Sequence, residues 1–566
     1  MNGTQWIIFI LIVQVIHFLG TWKLYVKAGR KAWEAAIPVY NAIVLMQIIN
    51  RPKWWVVLLF IPIINLLMFP VIWVETIRSF GRNSKLETWI IVLTLGFYIY
   101  YVNYALDVKY IEDRSLHPTT AAGEWVSSIL FAVVAATLVH TYFIQPYVIP
   151  TGSLERTLRV GDFLFVSKFH YGARTPMTTV AAPMVHDTLP VLGVPSYLKK
   201  PQLPYFRLPG FTKVERNDIV VFSWPADTVR VFFKKEKGVD KPIDKKSNYV
   251  KRCVGVPGDS LEVRDGHVFI NGKPLELPKS AKPQFDYNIY SSKGVSSKSL
   301  DDLGVTDFTR KYVSGQLNQN QANALNPYLV GYKPTDNGQL ELYTKASGIP
   351  SNIISKYGFA LKEITDRQRT VPLTADMVTS LRNNPNIDSV VQKVVEKGRR
   401  GINLFPQSPD YPWNYSQMGP IYIPQKGATV DLNLKVLPLY KKIIKEYEKN
   451  EISVSGNQIS INGSLATTYT FKQDYFWMMG DNRDHSEDSR AWGYVPENHI
   501  VGTPIFIWMS FDNFTEGISN WRPRWDRIFT TVNGDGEPQS YFKYFLILLV
   551  AYFVGNWFWK RKKDKK

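Results

Sequence analysis

Five apolar stretches, at 6–24, 54–74, 89–106, 125–143 and 544–559, constrain this chain more than any other feature. A membrane-crossing helix needs about 20 mostly apolar residues, with about 17 as the lower limit. All five read as spans. The last is short, and its Trp557 and Trp559 suit anchoring at the membrane interface. The second contains Pro62, Asn65 and Pro70 and also fits a re-entrant hairpin. The apolar piece 35–49 is too short to span and is expected at the interface. No positive charge precedes the first stretch, so it is expected to be a resident span and not a cleavable leader.

Basic residues orient these spans. With five spans and the N-terminus outside, the inside segments hold Lys27, Arg30, Lys31, Arg51, Lys53, Lys109, Arg114 and six residues of the tail. The short outside loop holds only Arg78, Arg82 and Lys85. The long segment 146–540 is therefore expected outside. If 54–74 is a hairpin, the orientation rests mostly on the fourth span and the tail.

The 566 residues leave room for two to four units of about 100–200 residues. The 17 Trp, 31 Tyr and 31 Phe supply too much core material for a mainly disordered chain. A single cysteine, Cys253, excludes an intramolecular disulfide and a Cys-cluster zinc site. The eight histidines never fall at metal-motif spacing. The formal charge is +19, and the tail Lys560-Arg561-Lys562-Lys563-Asp564-Lys565-Lys566 alone carries +5. Beside apolar segments, that charge points to an anionic membrane surface. No helix-turn-helix or other recognition motif accompanies it, so nucleic acid is not expected as a partner.

From residue 148 to about 525 the texture turns to β. Short runs rich in Val, Ile and Phe occur at 160–167, 218–223, 247–256, 260–263 and 267–270. Asn271-Gly272 and Asn462-Gly463 are strong hairpin-turn signals. Residues 279–465 are polar, rich in Asn, Gln, Lys and Ser, with helical patterns at 387–397 and 436–448. They read as a solvent-exposed insertion between two β-rich halves.

Four short segments carry chemistry. The first is Ile149-Pro150-Thr151-Gly152-Ser153-Leu154-Glu155-Arg156-Thr157-Leu158, followed by Val160-Gly161-Asp162. Ser153 lies ten residues past the fourth span, so it sits no more than about 36 Å from the bilayer edge. The second is Arg216-Asn217-Asp218-Ile219-Val220-Val221-Phe222, a buried strand behind a turn. The third is Tyr249-Val250-Lys251-Arg252-Cys253-Val254-Gly255-Val256-Pro257-Gly258-Asp259. Period-two alternation puts Tyr249, Lys251 and Cys253 on one face and Val250, Arg252 and Val254 on the other. A lysine on such a face is either a surface residue snorkelling to water or a desolvated amine with a lowered pKa. The fourth is Gly480-Asp481-Asn482-Arg483-Asp484-His485-Ser486-Glu487-Asp488-Ser489-Arg490. Its polar groups call for ion pairs, and His485 also permits a Ser–His reading with Ser153.

In this order after a membrane span, the four segments resemble the bacterial type I signal peptidases, the membrane-bound serine–lysine leader peptidases. The likeness covers about 145–275 and 470–512. The resemblance implies a mainly β, exported catalytic domain of signal-peptidase-like fold; the large mixed α/β insertion and the first three of the multiple transmembrane helices lie outside it and are read from the residues alone. The expected domains are a multi-span membrane region (1–123), an anchor helix (124–145), a catalytic domain in two halves (146–278 and 466–540), the insertion (279–465), and a C-terminal transmembrane helix with its basic tail (541–566). By the same resemblance Ser153 is the nucleophile and Lys251 the general base. Thr151 and the Ser153 backbone N–H form the oxyanion hole. Ser486 orients the lysine, and Asp488 and Arg490 are a structural ion pair. Leu154 stands where the family has Met, and Arg156 where it has Pro; Arg156 is assigned to lipid headgroups. The apolar residues Phe143, Ile144, Val148 and Ile149 are expected to dip into lipid and help desolvate Lys251.

Such an enzyme is a serine endopeptidase of the bacterial cytoplasmic membrane, with its catalytic domain on the outer face. It needs no metal or organic cofactor. Its partners are signal-peptide-bearing precursor proteins and membrane lipid, with no nucleic acid. The competing readings are a membrane-anchored, non-enzymatic scaffold with an exported β domain, and a Ser–His hydrolase using His485.

Overall fold

The computed structural model describes residues 3–118, 120–229, 238–532, 534 and 536–563. Residues 564–566 of the expected basic tail lie outside them. Among the described residues three helices are long and apolar enough to cross a membrane. They are α1 (Gly3–Lys27), α2 (Ala121–Tyr142) and α3 (Phe542–Lys563), the last apolar enough over Phe542–Arg561. The stretch 54–74 does not form one long helix. Its two pieces, Trp55–Leu58 and Ile64–Ser79, are separated around Pro62, where Ile63 takes φ 70°. The stretch 89–106 is likewise split into Lys85–Leu93 and Tyr98–Tyr104, bent by 118°; as one broken span it would be a fourth. Gly96 makes that bend at φ 87°, and a Cβ there would lie 2.7 Å from the Trp73 ring. The 54–74 hairpin packs on α2, where Leu58, Ile64 and Met68 meet Val134.

Immediately after α2 the chain enters an antiparallel sheet. Its strands are β1 (Ile144–Val148), β2 (Asp162–Ser167), β3 (Ile219–Ser223), β4 (Asn248–Gly255), β5 (Tyr475–Met479), β6 (Val495–Pro496) and β7 (Ile500–Asp512). Their spatial order is β1-β2-β7-β3-β4-β5-β6, and Arg522–Pro523 and Thr530–Thr531 both pair with β7. β3 reads as an unbroken apolar run because both of its faces are covered. Ile219 and Val221 join Leu154, Leu164, Val166 and Ile507 on one side. Val220 and Phe222 join Cys253, Met478 and Trp492 on the other. Each such side chain contributes about 1.5–3 kcal/mol by burial. The registers Val220↔Lys251 and Ile219↔Arg252 then fix the faces on which the two basic residues of β4 emerge.

Within 279–465 the packing divides. Strands Phe285–Tyr290, Gln368–Leu373 and Ser389–Gln392 form one small sheet, over a core that includes Ile289, Val371 and Leu381. Strands Thr309–Ser314, Leu329–Pro334, Leu340–Lys345 and Leu361–Ile364 form another, with Tyr312, Leu342 and Phe359 beneath it. From Phe405 onward the chain shares a core with the large sheet. Phe405, Ile421, Tyr440 and Phe471 pack with Leu261 and Trp477. The helical pattern at 436–448 becomes the helix Leu437–Lys442 and a continuing π-type turn. The pattern at 387–397 does not become a helix. Val390 is buried and Val391 exposed, and pairing to Phe285–Tyr290 makes that segment a strand.

Candidate active site

Leu154 explains the placement of Ser153. Gly152–Leu154 is a single 3₁₀ turn, and its apolar end is buried beside Leu158, Val166 and Ile219. With Leu154 held in the core, the preceding hydroxyl faces β4. There the Lys251 Nζ lies 2.6 Å from the Ser153 Oγ. Lys251 is only 3% exposed. Burial pushes its ammonium down to about 8, against the opposing pull of Asp488 and Glu487. Its Nζ also lies 5.3 Å from the centre of the Tyr249 ring on the same strand face. Of the two readings of this lysine, snorkelling surface residue or desolvated amine, the structure has the second. The burial comes from protein packing. Ile149, expected to dip into lipid, instead joins the core beside Leu154, whereas Phe143 and Val148 are exposed.

The polar loop 480–490 braces the Ser153 turn and the strand that carries Lys251. The Asn482 backbone N–H donates to the Ser153 carbonyl at 3.0 Å, and its side-chain Nδ2 donates to the Gly152 carbonyl at 3.0 Å. Asp481 accepts two bonds from Arg252, at 2.8 and 2.7 Å, and a third from the Thr157 hydroxyl at 2.6 Å. One carboxylate thus joins the lysine strand, through the neighbour of Lys251, to the loop that carries the serine. Burial raises the Asp481 carboxyl, but the Arg252 guanidinium outweighs it and holds the group below the usual carboxylate range. The sequence assigns no role to Asp481, Asn482, Arg252 or Thr157; the signal for the first three is an acid–amide pair in the fourth segment and a basic residue alternating with Lys251, and Thr157 has none.

Asp488 and Arg490 form a fully buried pair, with Arg490 Nε and Nη2 at 2.9 and 2.7 Å from the two carboxylate oxygens. Asp488 also accepts the Gly480 N–H at 3.0 Å, and Arg490 donates to the Arg483 carbonyl at 2.6 Å. Gly480 must lack a side chain. A Cβ there would lie 2.2 Å from the Ser486 Oγ and 2.5 Å from the Ser153 carbonyl oxygen. Ser486 therefore stands in the same wall as the Ser153 turn, but among the described residues its buried Oγ has no hydrogen-bond partner, Lys251 included. Thr151 is exposed and extended (φ −133°, ψ 152°), two residues before Ser153.

The structure does not pair His485 with Ser153. The His485 Nε2 lies 2.9 Å from the Asp286 Oδ1, a bond that raises the imidazole pKa. The Ser–His reading therefore has no geometric support, because the serine's basic partner is Lys251. Arg156, assigned from sequence to lipid headgroups, turns instead toward the inserted segment. At φ 73° it donates to the Gly304 carbonyl.

Comparison with known proteins gives the family of the chain. The family described as signal peptidase, peptidase S26, matches residues 122–326 and 422–509, just over half of the chain. Residues 33–113 match a separate family of unknown function (DUF5684). Signal peptidase I of Buchnera aphidicola subsp. Acyrthosiphon pisum (strain APS) is 24% identical over 420 residues, covering 72% of this chain and 85% of the relative. Signal peptidase I of Haemophilus influenzae is 22% identical over 433 residues, covering 74% and 79%. That of Rickettsia massiliae is 28% identical over 158 residues, covering 28% and 46%. A non-enzymatic scaffold is not favoured by these matches. The chain belongs to the signal peptidase family, peptidase S26.

Proposed function

We propose that this protein is a membrane-bound serine endopeptidase that removes signal peptides from exported precursors, with Ser153 as nucleophile and Lys251 as general base. The observation that carries the reading is the 2.6 Å approach of a buried, pKa-lowered amine to a serine hydroxyl. With a pKa of about 8, roughly a tenth of the lysine is neutral at pH 7, and only that form accepts a proton. Neutral Lys251 takes the Ser153 proton as Oγ attacks the scissile carbonyl carbon. The carbonyl π electrons move onto oxygen, and the Ser153 N–H and the Thr151 hydroxyl receive that oxyanion. The tetrahedral intermediate collapses, the C–N bond breaks, and the Lys251 ammonium returns its proton to the leaving amine. Neutral Lys251 then takes a proton from water as the water oxygen attacks the acyl carbon, the bond from that carbon to the Ser153 Oγ breaks, and the Lys251 ammonium returns the proton to Oγ, freeing the new carboxyl terminus. Ser486 packs against Gly480 in the wall beside the Ser153 carbonyl without bonding the lysine, and the Asp488–Arg490 pair holds that wall.

The substrate follows from position. A secretory precursor has an apolar h-region in the bilayer and a small-residue cleavage site just beyond it. Ser153 follows the end of α2 by eleven residues, so enzyme and scissile bond meet at one membrane surface. No metal or organic cofactor enters the mechanism.

For topology we infer an N-terminus outside, residues 28–120 inside, the catalytic domain on the outer face of the bacterial cytoplasmic membrane, and the tail inside. Three crossings give the body the same side as five do. With three, all nine Lys and Arg residues between α1 and α2 fall inside, as the positive-inside rule favours. The domain division follows the expected one, with 279–465 as insertion, although its part beyond Phe405 is tied into the catalytic core. Single cysteines at exposed Asn318 and Lys560 test the topology; buried Cys253 can stay in place. In intact cells an impermeant thiol reagent should label position 318 and spare position 560. The reverse pattern contradicts the orientation.

The oxyanion assignment has its own test in precursor cleavage. Thr151→Ala should lower kcat by about 10²–10³-fold, the usual effect of losing one such donor, with KM little changed. Thr151→Ser keeps the hydroxyl and should retain most of the rate. Full activity in Thr151→Ala would show that other donors hold the oxyanion.

A further inference from the structure

In the segment between α1 and α2, three arginines converge on one carboxylate. Glu75, near the end of the helix Ile64–Ser79, is buried. It receives Arg51 at 2.9 Å and Arg114 at 2.6 Å, and Arg78 approaches to 3.7 Å. Arg114 also donates to the Ser79 hydroxyl and to the Ile49 carbonyl. The side chains of Arg51 and Arg114 are only 22% and 10% exposed. One carboxylate neutralises one guanidinium, so the cluster keeps a charge of about +2 in a partly desolvated place. The C-termini of the helices Tyr40–Ile48 and Ile64–Ser79 offset part of that charge, each being worth about half an elementary charge. Poorly hydrated charges are costly unless paired, and a further anion would complete the set.

The surroundings say which anion. Arg51 stacks on Trp55, with its guanidinium 5.3 Å from the ring centre. Trp54, Val57 and Phe60 beside it are 60–63% exposed. An apolar surface ending in paired tryptophans and basic residues marks the headgroup level of a bilayer, and basic pockets at that level bind anionic headgroups. We propose that Arg51, Arg78 and Arg114, over Glu75, form a binding site for the phosphate of an anionic phospholipid, whose acyl chains lie along Trp54, Val57 and Phe60. The site shares no residue with the peptidase centre, and its occupant is a lipid retained by the N-terminal unit.

The test uses the full chain purified in a mild nonionic detergent, with bound lipid counted by native mass spectrometry. Dioleoylphosphatidylglycerol should be retained at concentrations where dioleoylphosphatidylcholine is not. Arg78 is the most exposed of the three and the farthest from Glu75. Arg78→Gln should therefore fold, as thermal unfolding will register, and weaken phosphatidylglycerol retention about five-fold, the usual worth of one basic residue at an anionic surface. Arg78→Lys should keep most of the retention, and precursor cleavage should be unchanged in both variants. Inorganic phosphate at equal concentration should not displace the lipid, because it lacks the acyl contacts. Equal retention of the two lipids, unchanged retention in Arg78→Gln, or displacement by equimolar phosphate would each overturn the proposal.

Discussion

Lys251→Arg is expected to be folded and nearly inactive, with kcat/KM for precursor cleavage down by about 10²–10⁴-fold. The substitution keeps the positive charge but not the chemistry. A guanidinium stays protonated at any working pH and cannot accept the serine proton. Lys251→Met, which keeps the apolar stem, should fail equally. If Lys251 served only to pair with Asp488 and Glu487, arginine would rescue, so the two roles give opposite outcomes. The pH profile supplies a second reading. An amine lowered to about 8 by burial predicts that kcat/KM rises with pH on an acidic limb centred near pH 8. His485→Ala should leave that limb in place, because His485 bonds to Asp286. A limb that vanished with His485 would return the chemistry to a Ser–His pair.

The second large effect is on stability. Arg252 and Asp481 are 1% and 0% exposed, and removing either leaves an unpaired charge in the core. Asp481→Ala or Arg252→Met should cost about 3–5 kcal/mol. For a domain of this size that lowers Tm by about 6–20 °C. Asp481→Ala also releases Thr157, so the serine loop should loosen and residual activity should fall further than stability alone explains. The double variant Arg252→Met/Asp481→Leu removes both charges and should recover much of the loss. Strict additivity of the two single effects would show that the pair is not coupled. The sign with pH is fixed by the direction of the shift. Asp481 and Asp488 are both held below the usual carboxylate range, so their contribution is present above about pH 4 and lost as pH falls through their folded values.

The strand that carries Lys251 was legible because its signal is local. Alternation in Tyr249-Val250-Lys251-Arg252-Cys253 is a property of consecutive residues, and the observed strand keeps it. The hairpin turns were legible for the same reason. Asn271 and Asn462 take φ 52° and 51°, each followed by a glycine at about 80°. The dyad itself was not encoded locally. Ser153 and Lys251 are 98 residues apart, and only the family resemblance joined them before the structure gave their distance. Asn482, over 300 residues from Gly152, carried no sign of the carbonyl it would hold. Phe405 lies in a polar segment, and its place under Trp477 depends on a return path that residue composition does not specify. Apolar content marks the membrane segments in the sequence, but it does not say which of them are continuous helices. Pro62 and Gly96 break stretches whose hydropathy alone suggested spans.

The most direct test of the central claim is cleavage of a purified precursor carrying its signal peptide, by the wild-type protein and by Ser153→Ala, in the same detergent and at pH 8. The account predicts that the wild type releases a mature chain with one new N-terminus after a small-residue site, as mass spectrometry would read it. Ser153→Ala should release none above the uncatalysed background. Cleavage by Ser153→Ala at the wild-type rate, at the same bond, would contradict it.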